Sequence, residues 1–350
     1  MAARRHIDAH THVFPNRAGL AVRVMDRCGI RCSVTLGWED AFGGRLDEQL
    51  RAFAGHPGRF APLCNIDFSR VDSQDFGQQE ADSLERAVEK GCHGLKIFKS
   101  LGLSVRTGDG ELLRVDDPRL DPVFERAAEL GVPVLIHTAD PAAFWQPPGP
   151  DNFWGGVLDG EYAGWSYYRK GLPSREELLG ERDRLLSRHP QTIFVAPHLA
   201  SLADDPLALA ESLERHPNLY VDISARLPAM ARTEARRRTW RETIIRFADR
   251  VLFGTDLIYD DQGVAAGIQS QSFQRPGEAD TAGLPPEEAF LRTSAAYLDS
   301  HLRFLTSEET QEKAPFRRQQ GTFRLAGLGL EGPVLEKVLQ ANAARIYGIS

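Results

Sequence analysis

The chain has 350 residues, 42% of them hydrophobic, which is enough for one large domain with a substantial core. Its 42 basic and 49 acidic residues are mixed along the sequence and leave a net charge of −7, which argues against a phosphate-neutralising basic stripe and so against a nucleic-acid partner. The four cysteines form no CxxC pair and are too few for a disulfide framework, and no apolar run reaches the ~18 residues of a membrane span. A cytoplasmic protein with reduced thiols is expected, since the first strand starts near Arg5 and leaves no room for a signal peptide.

In chain order, short β-branched or apolar runs predict eight strands, at residues 5–13, 32–36, 60–67, 94–98, 134–139, 192–199, 219–224 and 251–257. Helical periodicity falls between them, at 81–90, 122–130, 176–188 and 206–215, with later helices predicted at 286–305 and 334–347. Eight strands alternating with helices predict a (β/α)8 TIM barrel, an α/β fold, as a single domain over residues 1–350. A doubly wound sheet ranks second, because the turn after the first strand, His12-Val13-Phe14-Pro15-Asn16, is not glycine-rich. Two segments are long enough to be functional elaborations: 140–173, which holds Phe144, Trp145, Phe153, Trp154, Tyr162, Trp165, Tyr167 and Tyr168, and 258–332. The first reads either as an aromatic wall or lid over the site, or as a loop packed on itself or against a second subunit.

In a barrel, residues at the C-terminal ends of strands line the active site. Strand one ends in His10-Thr11-His12, which puts two imidazoles on one face, two residues apart. Strands five, six and eight end with His137, His198 and Asp256, each a metal-competent side chain. A buried, satisfied histidine is the ordinary reading of any one of these. Four strand ends carrying such residues favour a metal site. His6, His56, His93, His189, His216 and His301 are assigned no role, the three that precede proline or close a helix being expected to cap or to be solvated. Lys96 on strand four points inward, either near the metal or paired with an acid such as Asp8, with Asn65 and Asp67 as other polar candidates. Arg226, just past strand seven, could clamp a substrate carboxylate or form a surface ion pair.

With these residues in place, the sequence resembles the amidohydrolase superfamily, in the amidohydrolase-related branch that includes aminocarboxymuconate semialdehyde decarboxylase. The segments IDAHTH, GLKIFKSLGL, DDPRLDPVFE, PVLIHTADPAAF, PSREELL, APHLAS, NLYVDISAR, DRVLFGTD and NAARIYG carry the likeness over nearly the whole chain. The resemblance implies that His10, His12, His137 and Asp256 bind one divalent metal, usually zinc, and that His198 is an active-site histidine. It leaves Lys96 as an additional ligand. The implied reaction is hydrolysis of an amide, lactone or ester by a metal-activated water, with Asp256 handling the proton and His198 stabilising developing charge. The alternative is non-oxidative decarboxylation of an unsaturated or aromatic acid. The expected partner is a small-molecule substrate, with Trp145 holding a flat group and Lys99 or Arg226 an anionic one. A homodimer is implied by the resemblance alone.

Overall fold

The structure, a computed structural model, describes residues 5–37, 46–158, 163–268, 281–312, 314 and 324–350. Its parallel strands run β1 (His6–Val13), β2 (Ile30–Thr35), β3 (Phe60–Pro62), β4 (Cys64–Asn65), β5 (Leu95–Ile97), β6 (Val134–Ile136), β7 (Phe194–Ala196), β8 (Leu219–Asp222), β9 (Val251–Leu252) and β10 (Leu257–Tyr259). They pair in two arcs, β10-β1-β2-β3 and β4-β5-β6-β7-β8-β9. The arcs join where two of the eight predicted strands are interrupted. At one seam Leu63 N donates to Thr35 O (2.8 Å) and Cys64 N to Gly94 O (3.0 Å); at the other Ala9 N donates to Phe253 O (2.9 Å). Counted with these seams, eight staves close a (β/α)8 barrel.

The predicted strands exist, and all but the second, which runs Ile30–Thr35, are shorter than their apolar runs. The third is split at Leu63, and the eighth breaks between Leu252 and Leu257, so Asp256 lies in the break rather than at a strand end. The helices that wrap the barrel include Ala18–Cys28, Phe76–Glu89, Asp121–Leu130, Arg175–Arg188, Pro206–Arg215 and Glu234–Arg246. Their starts are capped as their sequences suggest. Ser174 and Glu177 form a reciprocal capping box, Asp205 accepts from Leu207 N and Ala208 N, and Thr233 accepts from Arg236 N. His189 and His216 do occupy helix C-caps, but both are buried, with His189 Nε2 2.9 Å from Asp121, so neither is a solvated end residue.

Ile7, Val34, Leu63, Leu135, Val195 and Leu252, drawn from around the ring, meet Ala343, Ile346 and Tyr347 in one apolar cluster. Residues from opposite staves can meet only inside the barrel, so the last helical stretch, 332–346, plugs it. The plug sits at the N-terminal ends of the strands, where Tyr347 O meets His93 Nδ1 (2.7 Å) just before β5 and Ser350 O meets Arg31. It contains a π-helical stretch, Lys337–Ala341, followed by Asn342, whose side chain donates to Ala248 O and Val251 O at the foot of β9. The opposite, C-terminal end is thereby left for chemistry. The segment 258–332 carries the helix Pro286–Thr306 and the antiparallel pair Thr310–Gln311 with Leu325–Ala326. No described helix is long and apolar enough to cross a membrane.

Candidate metal centre

Imidazoles and carboxylates converge at the C-terminal end of the barrel. His10 Nε2 lies 3.3 Å and His12 Nε2 3.4 Å from Asp256 Oδ1. One nitrogen or oxygen each from His10, His198 and Asp256 lie within 4.8 Å of one another. His137 packs edge-on to His198, with ring centroids 4.7 Å apart. Thus the five residues singled out in the sequence share one site, with His198 in the tight group and His137 at its flank.

The Nδ1 of three of these rings is held by an acceptor. His10 Nδ1 donates to Asp222 Oδ2 (2.7 Å), His12 Nδ1 to Gly37 O (2.9 Å), and His198 Nδ1 to Ser224 O (3.0 Å). This arrangement selects the tautomers whose Nε2 lone pairs face inward, as metal-ligating histidines require. The glycines here are steric necessities. Gly37 has φ +65°, and a Cβ there would stand 2.7 Å from Asn65 Oδ1. Gly254 lets the broken stave pass the site, since its Cβ would come within 2.9 Å of His10 Cβ.

Asp222 and Ser224 were not assigned a role from sequence, although strand alternation places both inward; they form the inner framework. Asp222 Oδ1 accepts from His198 N (3.0 Å), Ser224 N (3.0 Å) and Ser224 Oγ (2.5 Å), and Ser224 Oγ lies 2.9 Å from His198 Nδ1. Burial would raise the Asp222 pKa, but the charge and hydrogen bond of His10 hold it far below the usual carboxylate range. Asp256 is likewise held low, against burial, chiefly by His10. Burial alone would lower the His10 pKa, yet its two carboxylate neighbours raise it to about 9. Burial leaves His12, His137 and His198 neutral, with His137 at about 4.

A divalent cation fits these residues. Asp222 and Asp256 flank His10 and call for positive charge between them. His137 Nε2 is buried without a hydrogen-bond partner, Asp140 Oδ1 being 3.7 Å away. Imidazole nitrogens with one carboxylate make a donor set suited to zinc or a similar ion.

The strand-six histidine sits in unusual backbone. His198, Leu199, Ala200 and Ser201 have φ of 58°, 58°, 55° and 59°, a left-handed turn of four non-glycine residues. Such residues cost about 1–2 kcal/mol each, so the predicted simple strand end is corrected to a strained turn. Asp256, at φ 65°, is left-handed too.

Lys96 is buried, its ammonium 4.8 Å from the centroid of Phe98, whose ring lies 6.2 Å from that of His12. Asp8, offered above as its partner, accepts from Thr255 Oγ1 (2.6 Å), Thr255 N and His10 N, and burial raises its pKa to about 7. Asn65 donates to the backbone carbonyls of Leu36 and Lys96, and Asp67 caps Ser69 N.

Beside His137, Asp140 gathers Lys99 Nζ (2.5 Å) and Tyr167 Oη (2.8 Å) on Oδ2, with Arg226 Nη2 3.7 Å from Oδ1. Burial opposes ionisation of Asp140, but Lys99 overcomes it and, with His137 and Arg226, keeps it a carboxylate. Lys99 lies over Trp165 and Tyr167, and Arg226 over Trp154. Trp145 packs against Tyr167 at 4.6 Å and donates its indole N–H to Pro173 O. The aromatic loop therefore packs on itself and also presents its rings to Lys99 and Arg226. Tyr162 lies outside the described residues. Asp140 and Tyr167 were missed as site residues because only the fold brings them to Lys99 and Arg226.

The sequence matches the amidohydrolase family over residues 7–349. The chain belongs to that family. Its members are metal-dependent enzymes, and the centre just described is where this amidohydrolase carries a donor set of that kind. No curated protein matches it. Among solved structures it resembles 2,6-dihydroxybenzoate decarboxylase from Rhizobium, at 14% identity and TM-score 0.56, covering 99% of each chain. It also resembles 4-oxalomesaconate hydratase from Rhodopseudomonas palustris, at 14% identity and TM-score 0.50, over 98% of this chain and 95% of that one. A protein from Acinetobacter baumannii described as a probable 2-pyrone-4,6-dicarboxylic acid hydrolase matches at 10% identity and TM-score 0.50, over 98% of this chain and 99% of that one. At such identities the likeness establishes the shared barrel.

Proposed function

We propose that this amidohydrolase is a metal-dependent hydrolase that opens an amide, lactone or ester bond in a small substrate bearing a flat group and an anionic group. The observation that carries this reading is that the Nδ1 atoms of His10, His12 and His198 are engaged while the Nε2 atoms of His10 and His12 lie 3.3 and 3.4 Å from Asp256 Oδ1, with His198 in the same group. His10, His12, His137 and Asp256 would hold one divalent ion, zinc by its suitability to these donors, with His198 beside them and Lys96 as an additional donor. When bound, the ion supplies Lewis acidity and brings a water's pKa to ~7.

Asp256 Oδ1 takes a proton from the attacking water and delivers it to the leaving group. With Nδ1–H donated to Ser224, His198 presents a lone pair at Nε2. It therefore aligns the water by accepting its hydrogen bond, a role better matched to that tautomer than donating to a developing oxyanion. Arg226 and Lys99 bind the substrate's anionic group, and Trp145 helps hold its flat part through Tyr167.

A second reading, decarboxylation, is favoured by one observation: two cations around Asp140 leave one positive charge beside aromatic faces, a suitable seat for a carboxylate. There the carbon–carbon bond to the carboxylate breaks, carbon dioxide leaves, and the electron pair takes a proton from an acid in the site. The names of the structural neighbours include both a decarboxylase and a hydrolase, and all three neighbours are named for acids.

The test is turnover of a panel of amides, lactones, esters and unsaturated or aromatic acids in 18O-water, after chelation and after zinc is restored. Zinc-dependent turnover with label in the product is expected. Carbon dioxide release without label would replace hydrolysis by the second reading, and turnover indifferent to the chelator would overturn both.

A further inference from the structure

We propose that Arg182 is a positioning residue for His198 and His137, acting through the left-handed turn at 198–201; this rests on the reading of those histidines as site residues. Four consecutive left-handed L-residues do not hold themselves in place, and here the turn is tied from outside. Arg182 Nη1 donates to Ala200 O (2.8 Å) and Arg175 Nη2 to Ser201 O (2.7 Å). Ser201 Oγ reaches Thr138 O (2.8 Å) and Ala139 O (3.1 Å), the two residues that follow His137. One turn thus sets the chain at both histidines, whose rings meet edge to edge.

The helix Arg175–Arg188 is built for this task. Positions 175 and 182 are two turns apart, so both guanidiniums leave the same face, on which Leu178 and Leu185 are buried. Packing alone would place another aliphatic residue at 182. Instead the guanidinium is fully buried, and its neighbouring carboxylate, Asp183, also serves Arg215. Burying a cation this way is unfavourable without hydrogen bonds that need it. The Ala200 carbonyl supplies that need.

The test compares Arg182→Met, Arg182→Lys and Ser201→Ala with the wild-type chain. Spectra of 15N-histidine-labelled, metal-free protein report each ring's tautomer without requiring a substrate. In Arg182→Met, the His198 signals are expected to lose their single-tautomer values and the His137 signals to move, while those of His10 and His12 stay in place. With a substrate in hand, kcat is expected to fall by about 100-fold with KM within about twofold, and Arg182→Lys to recover part of the loss. Should Arg182→Met fail to fold, Ser201→Ala decides: displaced His137 and His198 signals support the proposal. Unchanged signals in a folded variant, or equal loss at all four histidines, would overturn it. Spectra that respond while no substrate is turned over would support the positioning role and count against the hydrolase reading alone.

Discussion

His10, His12 and His198 each have one ring nitrogen engaged by an acceptor, and that fixes what the other nitrogen can do. Asp222 has the widest reach in this respect, because it binds His10 Nδ1 and also receives the His198 amide and both donors of Ser224. Asp222→Asn keeps the shape but replaces one acceptor oxygen with a donor. It should weaken zinc binding by about 10–100-fold, measured by competition with a chromophoric chelator, and unchanged affinity would remove Asp222 from the account. At the substrate side, the Arg226 Nε is buried without a partner while its Nη2 faces Asp140. Arg226→Gln should raise KM for anionic substrates by about tenfold or more, a loss of a charged hydrogen bond, and leave KM for neutral analogues nearly unchanged in steady-state assays.

Among the elements, the ends of the staves hold the candidate metal centre and the least predictable backbone. His10 and His12 were legible from sequence because both fall near the end of the one strand β1, two residues apart, although its pairing with β2 shifts register between Asp8 and Thr11. The break before Asp256 and the left-handed turn at His198 were not legible. They depend on bonds made far along the chain, such as Asp256 N to His10 O and Arg182 to Ala200 O, and on Gly254 passing close to His10. The helix Pro286–Thr306 illustrates another such contact. It buries His301, which went without a role in the sequence reading, with its Nδ1 donating to Tyr297 O (3.0 Å). Burial lowers its pKa from 6.5 to about 4. The folded chain then binds fewer protons than the unfolded chain between those values, so His301 imposes no penalty above pH 6.5. As pH falls through that window stability is lost, by roughly 3 kcal/mol at the lower end. Urea unfolding of His301→Asn against wild type should show this difference shrinking stability of the wild type alone from pH 6.5 to 4. Parallel pH curves would contradict it.

At the scale of the molecule, the barrel explains why residues spread from position 10 to position 256 meet at one place. Parallel staves deliver their C-terminal ends to one rim, and the last helical stretch seals the other. The eightfold alternation of strands and helices was legible because apolar runs and helical periodicity are local. The two seams were not, since a stave interrupted for one to four residues still reads as a single apolar run. The site's outer border was half legible: Lys99, Arg226 and Trp145 stood out by type, whereas Asp140, which gathers the two cations, acquires its meaning only when the loops fold together. The central claim is that this rim holds a single divalent ion on His10, His12, His137 and Asp256. It is tested most directly by counting zinc per chain by elemental analysis after reconstitution and removal of free metal, in the wild type and in His10→Ala/His12→Ala. One zinc per wild-type chain and none in the folded double variant is the expected result. A wild type that retains no metal, or a double variant that keeps its full equivalent, would contradict the account.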